Sequence, residues 1–298
     1  MRWKSDLLLL FVAAIWGSGF VAQRLATSQI STLYFNGSRF LLAALFVFVL
    51  SRAARRLFSD AAPVHFDQKQ FLWMILAGVL LFSGSYFQQA GLETTTVGNA
   101  SFITGLYVVL IPLILFIFGR QQISIYAWLA VGLAAVGGML LSLQGKFQLA
   151  PGDALEMIGA VLWALHVILV GRLASRGIDP LRFSVIQFAT CGLLNLGLAV
   201  VLEPQGMSSM VSAWQVIFYS ALIPIGLGFT LQIFGQKHAP AVDAAIILSM
   251  EAVFGTFFGY LFLGELLSPR QLLGCLLILA AMILAQVRPG ARLEVEAA

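Results

Sequence analysis

Residues Gly84 to Tyr107, GSYFQQAGLETTTVGNASFITGLY, return 144 positions later as Gly228 to Glu251, GFTLQIFGQKHAPAVDAAIILSME. Without a gap, Gly84 falls on Gly228, Gln88 on Gln232, Gly91 on Gly235, Asn99 on Asp243, Ile103 on Ile247 and Leu106 on Met250. The same shift carries Ser124 onto Ser268. A shift of 148 carries Arg24-Leu25-Ala26 onto Arg172-Leu173-Ala174, Ile178 under Ile30, and Phe188 under Phe40, while Trp16 and Trp163 nearly coincide. Self-similarity at half the chain length means one structural unit built twice.

The composition says what kind of unit this is. Apolar residues make up 60% of the 298 residues and charged residues 10%. So few charges cannot cover the surface of a soluble domain, and in a bilayer length counts spans instead. The apolar runs are 7–25, 31–52, 71–91, 95–118 and 123–143 in the first half. In the second half they are 152–171, 179–202, 211–234, 241–263 and 269–287. Most connections are short, so sequential helices are expected to be antiparallel neighbours. The sequence therefore predicts an all-α membrane protein of ten transmembrane helices. Its repeats are residues 1–146 and 147–298, each of five helices. Five is odd, so the second repeat enters the membrane from the opposite side, as inverted repeats of secondary transporters do.

Orientation follows from Lys and Arg. With a cytoplasmic N-terminus, 13 of the 17 basic residues lie at the inner face; Arg24, Arg39, Lys146 and Arg270 lie toward the outside. Both termini are then cytoplasmic. The basic residues gather in short loops and form no stripe that could follow nucleic acid. The run after Arg2 and Lys4 continues to about Leu25 with no small-residue cleavage site, so it reads as a retained first span. Cys191 and Cys275 sit in apolar runs, where a structural disulfide is not expected. No GxSxG elbow, Walker loop or HExxH is present. No second His or Cys stands at metal-ligand spacing to His166. Neither a metal, nor a cofactor, nor ATP hydrolysis by this chain is expected. A monomer is sufficient, and the oligomeric state stays open.

Polar groups inside spans are costly and point to cavities or partners. Glu251 lies near the middle of the ninth span, on one helical face with Asp243, Ile247, Met250 and Phe254. The equivalent face of the fourth span carries Asn99, Ile103, Leu106 and Tyr107, and Tyr107 is the symmetry mate of Glu251. Two readings of Glu251 stand: a site for a substrate amine or a proton, or a protonated carboxyl that locks helices together. Asp243, nearer the inner interface, reads as solvated or capping. Trp16, Gly19, Phe20 and Gln23 form a stripe on the first span, and Trp163 and His166 lie one turn apart on the sixth. Tyr86, Gln88 and Gln89 on the third span and Gln232 on the eighth complete the polar set. Aromatic walls with a few amides suit an amphipathic small ligand, and aromatics also pack. The cavity expected from these residues is lined by Trp16, Tyr86, Gln89, Asn99, Ile103, Tyr107, Trp163, His166, Gln232, Met250 and Glu251, with Glu251 and His166 as proton-coupling candidates. Arg39, about 12 Å into its span by helical rise, is expected to pair with a carboxylate or snorkel outward, a structural role. Gly255 and Gly259 form a GxxxG, read as close helix contact. Pro112 and Pro224 read as kinks, static or gating.

Trp16-Gly17-Ser18-Gly19-Phe20 resembles the opening tryptophan–glycine signature of the drug/metabolite transporter superfamily, EamA family. Arg39-Phe40-Leu41-Leu42-Ala43 is similar to that family's second-helix pattern. Phe102-Ile103-Thr104-Gly105 and Ser249-Met250-Glu251-Ala252-Val253-Phe254, through Gly264-Glu265, resemble its half-closing patterns. Two departures stand out: Ala252 where many members have proline, and Arg120-Gln121 where glycine–glutamate is frequent. The resemblance implies ten helices, cytoplasmic termini and metabolite export across the bacterial inner membrane. Members such as the YddG-type exporters move amino acids.

The expected function is that of a secondary transporter, not an enzyme. It works by alternating access, with helices 3, 4, 8 and 9 rearranging, and exports amino acids or similar small metabolites. The alternatives are a nucleotide-sugar or sugar-phosphate carrier, an intramembrane enzyme and an assembly subunit.

Overall fold

The computed structural model describes residues 2–57, 68–95, 100, 103–119, 121–142, 151–203, 209–263 and 268–287. Its long helices are α1 (Arg2–Ala26), α2 (Thr32–Leu57), α3 (Gln68–Thr94), α4 (Tyr107–Ile117) and α5 (Ile125–Ser142), then α6 (Pro151–Ser175) and α7 (Pro180–Leu202). α8 (Trp214–Gln236) follows. α9 is in two segments, Ala241–Leu248 and Glu251–Leu263, and α10 is Pro269–Val287. Seven helices are long and apolar enough to cross a bilayer, and three more, at Ile103–Ile117, Ile125–Leu141 and Pro269–Ala285, are shorter. The protein is an all-α membrane protein of about ten helices, with no strand among the described residues. Large apolar side chains such as Phe48, Leu72, Phe116, Leu193, Phe262 and Leu276 point outward. That surface suits hydrocarbon, where each helix satisfies its own backbone.

Helix ends are set by short-range chemistry. Asp179 caps α7 by accepting from the Leu181 and Arg182 amides (3.0 and 3.4 Å), with Pro180 in the first turn, where no amide partner is missed. Gly177, at φ 74°, takes the left-handed conformation just past the end of α6. Ser124 accepts from the Ala127 amide (3.2 Å) at the start of α5. Its repeat mate Ser268 accepts from the Gln271 amide (3.3 Å) at the start of α10, and the Ser268 amide donates to Gln271 Oε1 (2.9 Å), closing a capping box.

The helices pair across the two halves. α2 packs along α7, α5 along α10, α3 against α6 and α7, and α1 against α8 and the second segment of α9. Exchanging each helix with the one five places away turns this pattern into itself. Two crossings are reciprocal. A Cβ on Gly37 would lie 2.5 Å from Leu196 Cγ, and one on Gly192 would lie 2.7 Å from Leu41 Cγ. At the α5–α10 crossing, a Cβ on Gly137 would lie 2.7 Å from the Gly274 carbonyl oxygen and one on Gly274 would lie 2.6 Å from that of Gly137. Gly37 meets Leu196 while Leu41 meets Gly192, and Gly137 meets Ile278 while Leu141 meets Gly274, so both pairs are antiparallel.

Several expectations are corrected. The ninth span is broken at Ser249–Met250, immediately before Glu251. The fourth has a turn at Leu106 between 103–105 and Tyr107. In the eighth, Ala221–Phe229 forms a π-helical stretch containing Pro224, a widening that accommodates a residue with no amide proton. Asp243 is neither solvated nor a cap: it is fully buried and ion-paired with Arg2 (Nη2 to Oδ2, 2.6 Å). Arg39 neither pairs with a carboxylate among the described residues nor snorkels; it is 5% exposed and donates to Asn36 Oδ1 (2.7 Å).

Candidate functional site

At the centre, α1, α2, α3, α4, α6, α8 and α9 leave about 650 Å³ of atom-free space, part of it continuous with the outside. One wall is aromatic. The Phe229 ring lies 4.7 Å from Trp16, 5.8 Å from Trp163 in a stacked arrangement, and 5.9 Å edge-on from His166. The π-helical stretch sets this wall: Phe229 ends it, and the Pro224 carbonyl within it accepts the Trp16 indole N–H (3.0 Å). Gly19 lets Pro224 approach α1; a Cβ there would lie 3.1 Å from Pro224 Cγ.

Glu251 also lines the cavity, 6% exposed, where the break in α9 begins its second segment. The Tyr107 hydroxyl donates to Glu251 Oε1 (3.0 Å), so two residues 144 apart in the chain, mates in the repeat, meet at the cavity. Gly17 holds α1 against this point: a Cβ there would lie 2.6 Å from Phe254 Cβ, 2.7 Å from the Gly255 amide nitrogen and 2.9 Å from the Glu251 carbonyl oxygen. Gly255 thus does serve a close helix contact.

Of the residues expected at the cavity, Trp16, Tyr107, Trp163, His166, Gln232 and Glu251 line it together. Four others lie outside its lining. Tyr86 stacks on Phe82 (6.4 Å). Gln89 turns to the Gln23 carbonyl (3.3 Å). Ile103 and Met250 are buried in packing. Asn99 is outside the described residues. Helical periodicity misplaces Ile103 and Met250 because the turns at Leu106 and Ser249–Met250 interrupt the 3.6-residue phase. The lining also includes Arg39, Phe40, Ser85, Thr104 and Phe229, none of them among the expected cavity residues. Phe229 carried no signal beyond being one more aromatic in an apolar run. Arg39 carried one, its depth.

Many lining polar atoms are buried without a hydrogen-bond partner among the described residues: both amide atoms of Gln232, Trp163 Nε1, His166 Nδ1, Gln23 Oε1 and Arg39 Nε. Buried polar groups are nearly always satisfied, so such a concentration marks a place where a polar ligand or water completes the bonding. The other nitrogen of His166, Nε2, is 3.0 Å from Gln187 Oε1. Among the described residues, no cluster of three His, Cys, Asp or Glu could hold a metal.

A second buried carboxyl borders the site, on a residue that sequence reading passed over. Glu156 of α6 is fully buried and accepts from the Thr104 hydroxyl (2.9 Å), which accepts from the Gln88 amide (3.1 Å). Gly91 makes room for it, since a Cβ there would lie 2.9 Å from Glu156 Oε1. Thr104 and Tyr107, three residues apart, therefore each donate to a carboxyl of a different helix. Beyond Glu156, the Thr95 hydroxyl bonds Asp153. The Arg2–Asp243 pair, with Asp6 3.9 Å from Arg2, joins α1 to α9 at the other end of the bundle.

The EamA-like transporter family model matches the chain twice, over residues 3–143 and 150–286. An uncharacterized transporter of Archaeoglobus fulgidus is 30% identical over 292 residues, covering 96% of this chain and 87% of that protein. The threonine/homoserine exporter RhtA of Escherichia coli K12 is 25% identical over 230 residues, covering 73% of this chain and 72% of RhtA. A crystal structure matches with TM-score 0.78 at 17% identity, over 96% of this chain and 97% of that one, a likeness of fold. Two family matches that together span almost the whole chain, on a ten-helix bundle around a polar-edged cavity, place this protein in the EamA-like transporter family.

Proposed function

We propose that this protein is a secondary transporter that exports amino acids or similar small metabolites by alternating access. The observation that carries the reading is Glu251: a buried carboxyl with no cationic partner among the described residues, facing a cavity edged by unpartnered polar atoms. An acid so placed either meets a substrate ammonium or takes up a proton. Glu251 is the first proton-coupling site and His166 the second. RhtA, a relative, is a threonine/homoserine exporter, which supports an amino-acid cargo. Nucleotide sugars and sugar phosphates fit less well, because they ask for several cations and Arg39 is the only Lys or Arg in the described lining.

In this reading, residues 1–146 and 147–298 are five-helix units of opposite orientation. Both termini face the cytoplasm and the chain sits in the bacterial inner membrane. The Arg2–Asp243 and Thr95–Asp153 contacts then close the inner and outer ends, and α3, α4, α8 and α9 move between states. The turns in the fourth and ninth spans and the π-helical stretch of α8 are the places where backbone hydrogen bonds change most easily.

A counterflow screen of labelled amino acids in proteoliposomes tests the cargo, and an absence of exchange for every amino acid refutes it. Recovery of the unchanged solute separates transport from intramembrane chemistry. E251Q tests the coupling: pH-gradient-driven flux is expected to vanish, and undiminished flux sinks the coupling role.

A further inference from the structure

We propose that Arg39 is a carboxylate anchor, so that the cavity takes its substrate as a zwitterion, carboxylate at Arg39 and cationic end toward Glu251; this deepens the amino-acid reading above and rests on it.

Arg39 belongs to the cavity lining and is only 5% exposed. A buried guanidinium is ordinarily paired with an anion, because desolvating it alone is expensive. Among the described residues no carboxylate lies within ion-pair distance of it. Its neighbours are aromatic faces, Phe35 at 4.4 Å and Phe40 at 5.4 Å from Cζ. These stabilise and orient a cation without neutralising it. Of its five N–H donors, one reaches Asn36 Oδ1, and Nε is unpartnered. A planar fork with donors to spare is the geometry that receives a carboxylate through two parallel bonds.

A purely structural role does not account for this placement. The bond to Asn36 spans three residues of the same helix and ties α2 to nothing else. The link from α2 to α3 is made by Asn36 itself, whose side-chain amide donates to the Ser85 carbonyl (3.0 Å). The charge arrangement then names the ligand. Trp16 and Trp163 pack both against the core that holds Tyr107 and against the core that holds Phe40. Both tryptophans, Arg39 and Glu251 line the same cavity. One cation and one acid in the same aromatic-walled cavity match a net-neutral molecule with one charge of each sign.

The test is binding by the full-length protein in detergent, read by the fluorescence of its tryptophans, two of which line the cavity. The probes are the standard neutral amino acids, each beside its carboxamide. Wild type is expected to bind an acid about tenfold to a hundredfold more tightly than its amide, the range of a charge-assisted bond pair. R39Q is expected to abolish the preference for acid over amide, with R39K intermediate. Equal binding of acid and amide by wild type, which needs no variant, overturns the proposal. So does R39Q with the preference intact, and so does no binding by any acid. Flux of amino acids without acid–amide discrimination removes the anchor and leaves the exporter. Discriminating binding without flux does the reverse.

Discussion

Gly17→Ala probes the seam on which Glu251 sits. One added methyl carbon would lie 2.6 Å from Phe254 Cβ, 2.7 Å from the Gly255 nitrogen and 2.9 Å from the Glu251 carbonyl oxygen. Carbon atoms prefer separations of about 3.5–4.0 Å, so α1 and α9 must part by roughly 1 Å. Two of the three obstructing atoms are backbone, and no side-chain rotation relieves them. Overpacking costs about 1–3 kcal/mol in general, and the upper end applies here. Gly197→Ala in α7 is the matched control. Nothing lies within 4 Å of its added carbon, so the helix gains up to about 1 kcal/mol from alanine's lower backbone entropy. Unfolding of both variants in mixed micelles should therefore move in opposite directions. Because the seam also positions the cavity carboxyl, flux per folded molecule in proteoliposomes should fall for Gly17→Ala and stay at wild type for Gly197→Ala. Equal stability of the two variants, or normal flux in a destabilised Gly17→Ala, would refute the reasoning.

Three further outcomes are expected. Tyr107→Phe removes the one hydroxyl that reaches Glu251 Oε1; it should destabilise by about 1–3 kcal/mol, and E251Q should reduce that loss in a double-mutant cycle. Glu156→Gln keeps an acceptor for Thr104 while removing an acid with no cationic partner among the described residues; its unfolding midpoint should equal or exceed wild type, and a clear drop would show that the charge is needed there. Arg2→Ala removes the ion pair of the buried Asp243 carboxylate; a loss of about 2–4 kcal/mol is expected, below the full range for buried pairs because Arg2 is partly exposed. Adding Asp243→Asn should recover part of it, and additive losses would mean that the pair is not coupled.

The repeat, the spans and the family were legible from sequence because each rests on local or periodic information. Apolar run length reports a bilayer crossing, and a constant offset such as 144 reports duplication. The mating of Tyr107 with Glu251 came from that offset alone, as did the equivalence of Ser124 and Ser268, whose capping bonds only the structure shows. Composition excluded a soluble enzyme for the same kind of reason, since it sums over the chain and needs no geometry. What faced the cavity was a different matter. Helical phase holds only within an unbroken helix, so the turns at Leu106 and Ser249–Met250 and the π-helical stretch at Ala221–Phe229 shifted Ile103 and Met250 out of the lining and set Phe229 into it. The partners of buried charges were equally out of reach. Arg2 meets Asp243 across 241 residues, Thr104 meets Glu156 across 52, and Arg39 meets no carboxylate among the described residues. Sequence by itself determined the architecture, because hydrophobic periodicity and duplication are written along the chain. Only the tertiary structure decided which polar groups are paired and which are left facing the cavity, because desolvation and hydrogen bonding depend on neighbours that the chain order does not specify.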